Sequence, residues 1–333
     1  MKLMLDVDIT SPVKKITYSD KIFLIGSCFT EHIGRRLEEL KFPVIQNPNG
    51  ILFDPLSVSR SLNSYIDLEK YKQSDLFYLN ELWQSWNHHS VFSGMDAAEV
   101  VHNINFSQRS AHDQLKKSTW LIVTLGSSFS YQLAQDHQPV ANCHRAPGQW
   151  FNKHLLSTEE TVNALEESIQ KLRVFNPALQ VIFTISPVRH IRDGVVENNR
   201  SKARLIEAVH TLVEKYSHIY YFPAYEIVID ILRDYRFYDI DLVHPNYAAT
   251  EFVFEKFEHT FINEDTRGIM EDIRKINNGY KHKPFQPDTE SHKAFLRTTL
   301  VKVKALQEKL PHLDFSKELI YFSTLKSVEK AKS

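Results

Sequence analysis

The 333-residue chain contains only two cysteines, Cys28 and Cys143, and no CxxC pair. Two isolated cysteines do not build a disulfide framework, and without CxxC spacing they do not indicate a zinc ribbon or a dithiol redox motif. We therefore expect two free thiols in a reducing compartment. Asp6 and Asp8 interrupt the segment where a signal peptide would need an apolar run, so we expect a cytoplasmic protein.

Long apolar runs and an excess of one charge are also missing. No stretch approaches the ~18 consecutive apolar residues of a membrane-spanning helix. The 40 Lys and Arg residues against 41 Asp and Glu give a formal net charge of −1, whereas proteins that bind phosphate backbones usually carry a strong basic excess. We therefore expect neither a membrane nor a nucleic-acid partner, and the sequence leaves the oligomeric state open.

The sequence does contain a regular alternation of apolar runs and amphipathic segments. The apolar runs predict strands, and the segments of helical periodicity predict helices. The predicted strands are 21–26, one within 42–50, 119–126, 179–187 and one starting at 219. The predicted helices are 30–42, 54–66, 158–177, 197–216 and 244–261.

Strands separated by helices of this length indicate a parallel sheet covered on both faces. We predict an α/β fold, a three-layer α/β/α sandwich with a mainly parallel sheet, over residues 1–261. An insertion around 67–117 is expected to contain a small hairpin or loops. A C-terminal α-helical extension, 262–333, is expected to pack on the core. The ligand site of such a sheet lies at the carboxyl ends of its strands.

One candidate nucleophile stands where the first strong strand meets a helix. In Gly26-Ser27-Cys28, a thiol near the helix N-terminus experiences the positive end of the helix dipole and unpaired N–H groups, which favour the thiolate. The same N–H groups suit an oxyanion. In the alternative interpretation, Cys28 is a small buried apolar residue and Ser27 is a helix N-cap.

A second candidate motif, Asp241 and His244 in D-x-x-H spacing, precedes the last helix of the alternating region. A carboxylate at this spacing can hold one imidazole nitrogen while the other nitrogen faces a nucleophile. The spacing alone is common, so the position in the chain gives it weight. In SGNH/GDSL hydrolases the turn with the nucleophile likewise comes early in the chain, and the D-x-x-H motif comes last.

Several further blocks make this similarity more specific. Together they resemble the GSCFA-domain family over roughly residues 20–260, a family that looks like a bacterial branch of the SGNH-like fold. The blocks are GSCF (26–29), PNGILFDPLSV (48–58), VTLGSSFSY (123–131), VANCHRAP (140–147), SPVRHIRD (186–193) and NNRSKARL (198–205). The resemblance implies an SGNH-hydrolase-like sandwich with no cofactor and no metal.

The resemblance also implies a role for each matching residue. Cys28 falls on the nucleophilic serine of the superfamily, and Ser27 falls on the acid before it. His244 falls on the base and Asp241 on the acid that orients this base. Gly50 falls on the glycine whose N–H lines the oxyanion hole. Ser27 is an alternative nucleophile, because serine is the usual nucleophile of the superfamily.

The third block departs from the pattern. Gly126 is present, but Ser127 and Ser128 follow where a G-x-N-D motif would have its asparagine. We expect Asn142, from a neighbouring loop, to supply the missing amide of the oxyanion hole.

Two other polar clusters lack metal-ligand spacing: His88 with His89, and residues 143–145. For them structural or surface roles compete with substrate contacts, and His89 is expected to border the pocket. Arg145, together with Arg189 and His190, is a candidate for binding an anionic group. Residues 199–202 are expected to open and decorate a helix rather than to react.

These observations support one leading function and two alternatives. The leading hypothesis is esterase-type acyl transfer by a Cys-His-Asp triad, either hydrolysis of an O-acylated small molecule or glycan or transfer of its acyl group. The first alternative is a non-catalytic protein that binds a glycan or metabolite on the same scaffold. The second is a metal-dependent hydrolase built on the His-rich loops.

Overall fold

The structure, a computed structural model, describes residues 5–323. Within that range the β-strands are β1 (Ile22–Gly26), β2 (Val44–Gln46), β3 (Phe77–Leu79), β4 (Leu82–Gln84), β5 (Trp120–Leu125), β6 (Phe129–Leu133), β7 (Pro139–Val140), β8 (Phe151–Leu155), β9 (Gln180–Ile185) and β10 (Ile219–Phe222). The α-helices are α1 (Cys28–Glu39), α2 (Pro55–Ile66), α3 (Ala97–Lys117), α4 (Thr158–Phe175), α5 (Val195–Lys215), α6 (Ala224–Glu226), α7 (Tyr247–Phe261), α8 (Glu264–Lys281), α9 (Glu290–Lys309) and α10 (Ser316–Ser323). A π-helix, Ile227–Leu232, directly continues α6.

Five of these strands form one sheet in the spatial order β2-β1-β5-β9-β10, and every neighbouring pair is parallel. The chain goes from β1 to β2 on one side and later returns to β5 on the other side of β1. Ligand crevices of open parallel sheets form at such a reversal, outside the carboxyl ends of the strands. The predicted sheet is confirmed, and Cys28 begins the helix that follows the carboxyl end of β1.

Helices cover both faces of the sheet. One apolar cluster packs α1 and α7 on the first face through residues such as Phe29 and Phe257. A second cluster packs α2 and α5 on the opposite face through residues such as Leu62 and Leu205. These strands are buried on both faces, which is why they are apolar throughout rather than alternating. The α/β/α sandwich is therefore confirmed.

Local signals determine where the helices begin. Pro55 occupies the first turn of α2, where its missing N–H costs nothing, and Asp54 is the N-cap. The helix predicted from residue 244 begins later, at Tyr247, because Asn246 is its N-cap and accepts a hydrogen bond from the backbone of the first turn. Pro245 stands before the cap rather than inside the helix.

The structure differs most from the sequence-based prediction in the region between α2 and α4. The expected hairpin exists as β3 and β4, but helix α3 fills residues 97–117 and contributes Ala111 and Leu115 to the core. The antiparallel sheet β7-β6-β8 was not predicted. Its strands are short and only partly buried, so their side chains do not follow a clear apolar pattern.

The C-terminal helices α8, α9 and α10 pack against the core. Met270, Val303 and Phe315 belong to the same apolar cluster as α1 and α7. The division of the chain into domains at residue 261 stays a prediction. None of the helices within residues 5–323 has the length and apolar character needed to cross a bilayer.

Candidate active site

The turn that carries Cys28 is held against the central strand of the sheet. Gly26 has φ +136°, and a Cβ on it would lie 2.1 Å from the Thr124 carbonyl oxygen. The Ser27 N–H donates to that same carbonyl at 2.9 Å. Only glycine tolerates this backbone conformation and this close approach, so the turn has one register.

Ser27 and Cys28 differ in accessibility. Ser27 is 0% exposed, and its hydroxyl has no hydrogen-bond partner within the described part of the chain. Cys28, the first residue of α1, is partly exposed. The side chain that a substrate can reach in this turn is therefore the thiol.

The environment of the thiol corrects one expectation. Burial raises the pKa of Cys28 above its ordinary value, and the charge of Glu31 adds to that effect. Lys202 and the backbone N–H groups of Phe29 and Cys28 act in the opposite direction. Because burial is the largest cause, the expectation of a lowered pKa at this helix N-terminus is wrong for the free protein. The thiol needs a base to take its proton.

A short segment, 52–53, connects the ends of β1 and β5. The Leu52 N–H donates to the Gly26 carbonyl at 3.0 Å, while the Phe53 carbonyl accepts from the N–H groups of Gly126 and Ser127 at 2.8 and 3.0 Å. Segment 52–53 thus links the end of β1 to the residues that follow β5 through backbone hydrogen bonds.

Gly126 allows three groups to come close together next to segment 52–53. A Cβ on Gly126 would lie 3.1 Å from Phe53 Cδ1, 3.2 Å from His190 Nε2 and 3.2 Å from Ser27 Cβ. The absent side chain therefore lets His190 lie beside the Ser27-Cys28 turn. Burial lowers the pKa of His190 to about 4, assisted by the charges of Lys202 and His244.

Asp241 and His244 form the predicted hydrogen bond. Nδ1 of His244 lies 2.6 Å from Oδ2 of Asp241, while Oδ1 accepts from the N–H groups of Val243 and His244 at 2.9 and 3.0 Å. The backbone N–H of His244, then its side chain, lowers the pKa of Asp241 to about 2. The ionised carboxylate accepts the Nδ1 proton, which leaves Nε2 as the basic nitrogen.

The loop that holds this pair lies beside the segment that follows β9. The Arg189 guanidinium donates to the Leu242 carbonyl at 3.1 Å, and the Arg189 N–H donates to the Val243 carbonyl. Burial lowers the pKa of both His190 and His32, and the charge of His244 makes a smaller contribution in the same direction. Arg189 therefore positions the D-x-x-H loop. From the position of D-x-x-H before the last helix of the alternating region, we predict that His244 lies nearer to Cys28 than to Cys143.

The two residues expected to bind an oxyanion are engaged in local structure. Gly50, at φ +79°, donates its N–H to the Asn47 carbonyl at 2.7 Å, so this N–H closes a turn. His89 packs directly on Gly50, since a Cβ there would lie 2.1 Å from His89 Cβ. Asn142 accepts the His144 N–H at 2.9 Å through Oδ1, which leaves Nδ2 as its donor. The expectation of an open N–H at Gly50 is therefore corrected.

Asn47 is a buried amide that the sequence analysis missed. Its Oδ1 accepts the Gly26 N–H at 2.9 Å, and its Nδ2 has no partner among the residues that the structure describes. Its signal in the sequence was its place in the turn directly after β2.

The loop 142–145 borders the same region. The charges of Arg192 and Asp54 act on Cys143. Arg192 lies two residues after His190, and Asp54 directly follows Phe53. Burial, the largest cause, raises the pKa of Cys143 to about 11. Arg145 is exposed at a left-handed backbone position.

The remaining histidine cluster is structural in form. His88 is 0% exposed, contacts Ser85 Oγ through Nδ1 at 2.8 Å and packs edge-on against Tyr71. Burial lowers the pKa of His88 to about 3. His144 Nε2 lies 2.8 Å from the Ser85 carbonyl. Across residues 5–323, no group of three or more His, Cys, Asp or Glu is arranged to hold a metal ion.

Residues 199–202 lie in helix α5, but Lys202 does not decorate its surface as expected. It is 1% exposed, and its Nζ donates to the carbonyls of Gly126 and Ser186, each at 2.6 Å. The sequence around it is polar and typical of the start of a helix, so its burial could not be predicted from that pattern. The only sequence signal was its membership of the NNRSKARL block.

Comparisons with known proteins agree with the sequence resemblance. The model of the GSCFA family matches residues 21–257, and the model of the GSCFA domain protein, C-terminal domain, matches residues 273–325. No curated protein matches the chain at a significant level.

Two solved structures are similar at low identity. A carbohydrate esterase family 3 from Talaromyces cellulolyticus is 10% identical with a TM-score of 0.36, and the match covers 77% of this chain and 99% of that one. An acetyl xylan esterase from the rumen bacterium Butyrivibrio proteoclasticus is 11% identical with a TM-score of 0.37, over 76% of this chain and 66% of that one. At this distance neither likeness bears on activity.

Proposed function

This chain belongs to the GSCFA family, and from that premise we propose that it is an acyl hydrolase or acyltransferase acting on an O-acylated small molecule or glycan. The observation that carries the proposal is the difference within the turn after β1. Cys28 is accessible at a helix N-terminus, whereas the Ser27 hydroxyl is fully buried. A thiol at the reversal of a parallel sheet, on the same side as a carboxylate-bound imidazole, has the parts of a nucleophilic triad.

In the proposed reaction His244 acts as the base. Its Nε2 takes the Cys28 proton as sulfur attacks the acyl carbonyl, and the imidazolium is stabilised by Asp241. When the tetrahedral intermediate collapses, the proton passes from His244 to the leaving alcohol, and a thioester to Cys28 remains. Water, or an acceptor hydroxyl, then gives its proton to His244 and attacks the thioester, which restores the thiol.

The developing oxyanion needs donors at the same turn. The backbone N–H of Cys28 at the start of α1 is one candidate, and the side-chain amides of Asn142 and Asn47 are two others. Gly50 serves in this scheme by its turn conformation, and Gly126 by the space it leaves. Arg145 and His89 are the candidates for substrate contacts at the rim.

The experiment that tests the proposal is the capture of an acyl-enzyme. The protein is mixed with p-nitrophenyl acetate, quenched in acid and mapped by mass spectrometry. We expect an acetyl group on Cys28 that neutral hydroxylamine removes, because thioesters are far more sensitive to this reagent than oxygen esters. Cys143→Ala is the matched control and is expected to form the same adduct. An adduct on Ser27 that resists hydroxylamine would make the serine the nucleophile.

A non-catalytic binding role has one observation in its favour, because burial raises the pKa of Cys28 and the free thiolate is scarce at neutral pH. In that case neither the wild type nor any variant forms an acyl adduct or hydrolyses acyl esters. Unchanged binding of O-acetylated oligosaccharides by Cys28→Ala would then support the binding role.

A further inference from the structure

Lys202 is a buried lysine at the carboxyl ends of β5 and β9. Its Nζ lies 2.6 Å from the carbonyl oxygens of Gly126 and Ser186, the residues that follow β5 and β9. Both acceptors are neutral dipoles. Buried lysines are rare unless they are paired, because removing an ammonium from water is costly. Among the described residues, the hydrogen-bond acceptors of Lys202 are carbonyls, so an ammonium there would be stabilised further by an anionic partner.

Ser201, which precedes Lys202 in α5, fixes the position of this helix. Ser201 Oγ accepts the Ser128 N–H at 2.7 Å and lies 3.2 Å from Ser127 Oγ. These bonds join helix α5 to the segment directly after β5. The helix register that they set directs Lys202 under the strand ends rather than into solvent.

The charged and titratable groups that face Lys202 single out one partner. Burial lowers the pKa of Lys202 to about 7, and the charge of Cys28, which begins α1, opposes that effect and favours the ammonium. His190 faces it from the segment after β9, and its pKa is already lowered, so it is neutral at pH 7. The Tyr225 ring, from α6, lies 5.8 Å from Nζ.

The charges that act on the Cys28 thiol indicate the same pairing with Lys202. Burial raises the pKa of Cys28, the charge of Lys202 acts against that effect, and the charge of Glu31, on α1, adds to it. Geometry places the two groups at one junction, because Nζ donates to the Gly126 carbonyl and a Cβ on Gly126 would lie 3.2 Å from Ser27 Cβ, in the turn that carries Cys28. At this junction the two groups favour each other's charged forms.

We propose that Lys202 is a positioning residue whose ammonium is the counter-ion of the Cys28 thiolate. The proposal rests on the proposed function, in which the thiol is the nucleophile. In that step the S–H bond breaks, sulfur keeps the electron pair and the proton passes to His244, while Lys202 keeps its own proton. Lys202 thereby offsets the cost that burial imposes on the thiolate.

The test is the pH dependence of alkylation at each cysteine. Wild type, Lys202→Met and Lys202→Gln are treated with iodoacetamide across a pH series, and labelling of Cys28 and Cys143 is read separately by mass spectrometry. We expect the apparent pKa of Cys28 to rise in both variants by about one unit, which is about a tenfold lower labelling rate below that pKa. Cys143 should not change. Lys215→Met, on the exposed end of the same helix, is the matched control and should leave both cysteines unchanged.

Two results would overturn the proposal. One is an unchanged Cys28 profile in a folded variant, which leaves Lys202 as a clamp on strand ends. The other is an equal shift at both cysteines, which indicates general loosening. Lys202→Gln retains a donor for the two carbonyls, so it keeps the test available if Lys202→Met does not fold.

A reciprocal measurement needs no change at Lys202. Coupling between two sites is mutual, so replacing Cys28 by serine must lower the pKa of Lys202, as followed by NMR of 13C-labelled lysine. An unchanged lysine pKa would overturn the proposal. Failure of the proposed function looks different, because the cysteine and lysine shifts would persist while no acyl-enzyme forms.

Discussion

The two cysteines of this chain border one region but differ in what surrounds them. Cys28 begins a helix at the reversal of the parallel sheet, and Lys202 and two backbone N–H groups favour its charged form. Cys143 lies in a loop, where burial raises its pKa to about 11, the exposed Arg192 acts against that effect and Asp54 adds to it. Both thiols are partly exposed, so exposure alone does not distinguish them.

What distinguishes the two sites is therefore the set of fixed charges and dipoles. A thiol becomes useful for chemistry where the fold supplies positive partners and a base within reach. The turn after β1 is built in this way, with glycine at the points of closest approach. The loop around Cys143 has neither a helix N-terminus nor a buried cation among the groups that act on it.

The largest expected effect is the loss of the nucleophile. Cys28→Ala should lower the hydrolysis of an acyl ester by about 10³-fold or more, because removal of a nucleophile removes the covalent route. Cys143→Ala should stay within about twofold, because no step uses it. Steady-state kinetics with p-nitrophenyl acetate compare the two variants. Equal losses would erase the proposed difference between the cysteines.

The base should matter nearly as much. His244→Ala is expected to lower the rate by about 10²- to 10⁴-fold, the usual contribution of a positioned general base. Asp241→Asn should have a smaller effect, because the carboxylate acts through the imidazole and both side chains are nearly half exposed to water. The same kinetics, read with folding checked by circular dichroism, measure both variants. A wild-type rate for His244→Ala would remove His244 from the scheme.

The backbone of the two regions should differ in its tolerance of a side chain. Gly26→Ala is expected to destabilise the protein by more than about 1 kcal/mol, because its φ is left-handed and its Cβ would strike the Thr124 carbonyl. Gly148→Ala, downstream of Cys143, has open space around its Cβ and should change stability little. Urea unfolding of the two variants provides the comparison. A stable Gly26→Ala protein would show that the turn can relax.

The smallest expected effect concerns acid. The folded-state pKa of His190 is about 4, below its ordinary value of 6.5, so the unfolded state binds more protons between these values. Stability should therefore fall as pH drops from about 6.5 towards 4. His190→Gln should reduce that loss by about 1 kcal/mol at pH 6, measured by urea unfolding at pH 7 and pH 6. A parallel acid dependence in both proteins would contradict the neutral, buried state of His190.

Much of the fold could be predicted because the signals were local. Apolar strands, helical periodicity and the proline and acid at the start of α2 all act within a few residues. Helix α3 was missed because its buried positions, such as Ile104 and Leu115, are separated by charged residues and form a narrow stripe. The antiparallel sheet was missed because packing against neighbours, rather than its own pattern, stabilises it.

In the candidate site, too, local features could be predicted and features that depend on tertiary packing could not. The Asp241–His244 hydrogen bond was predictable because the two residues are three apart on one turn. The pKa direction at Cys28 was not, because burial in the assembled fold outweighs the local helix terminus. The contact of Lys202 with Gly126 joins residues that are 76 positions apart, and no local pattern reports it.

The shared apolar cluster of the C-terminal helices has a consequence for any shortened version of this chain. Met270, Val303, Phe315 and Phe322 are buried in the same cluster as residues of α1, the helix that Cys28 begins. A chain ending at residue 261 would present this side of α1 and α7 to water as an apolar surface. We expect such a fragment to associate or precipitate, because the apolar side chains of α1 and α7 would lose the helices that cover them.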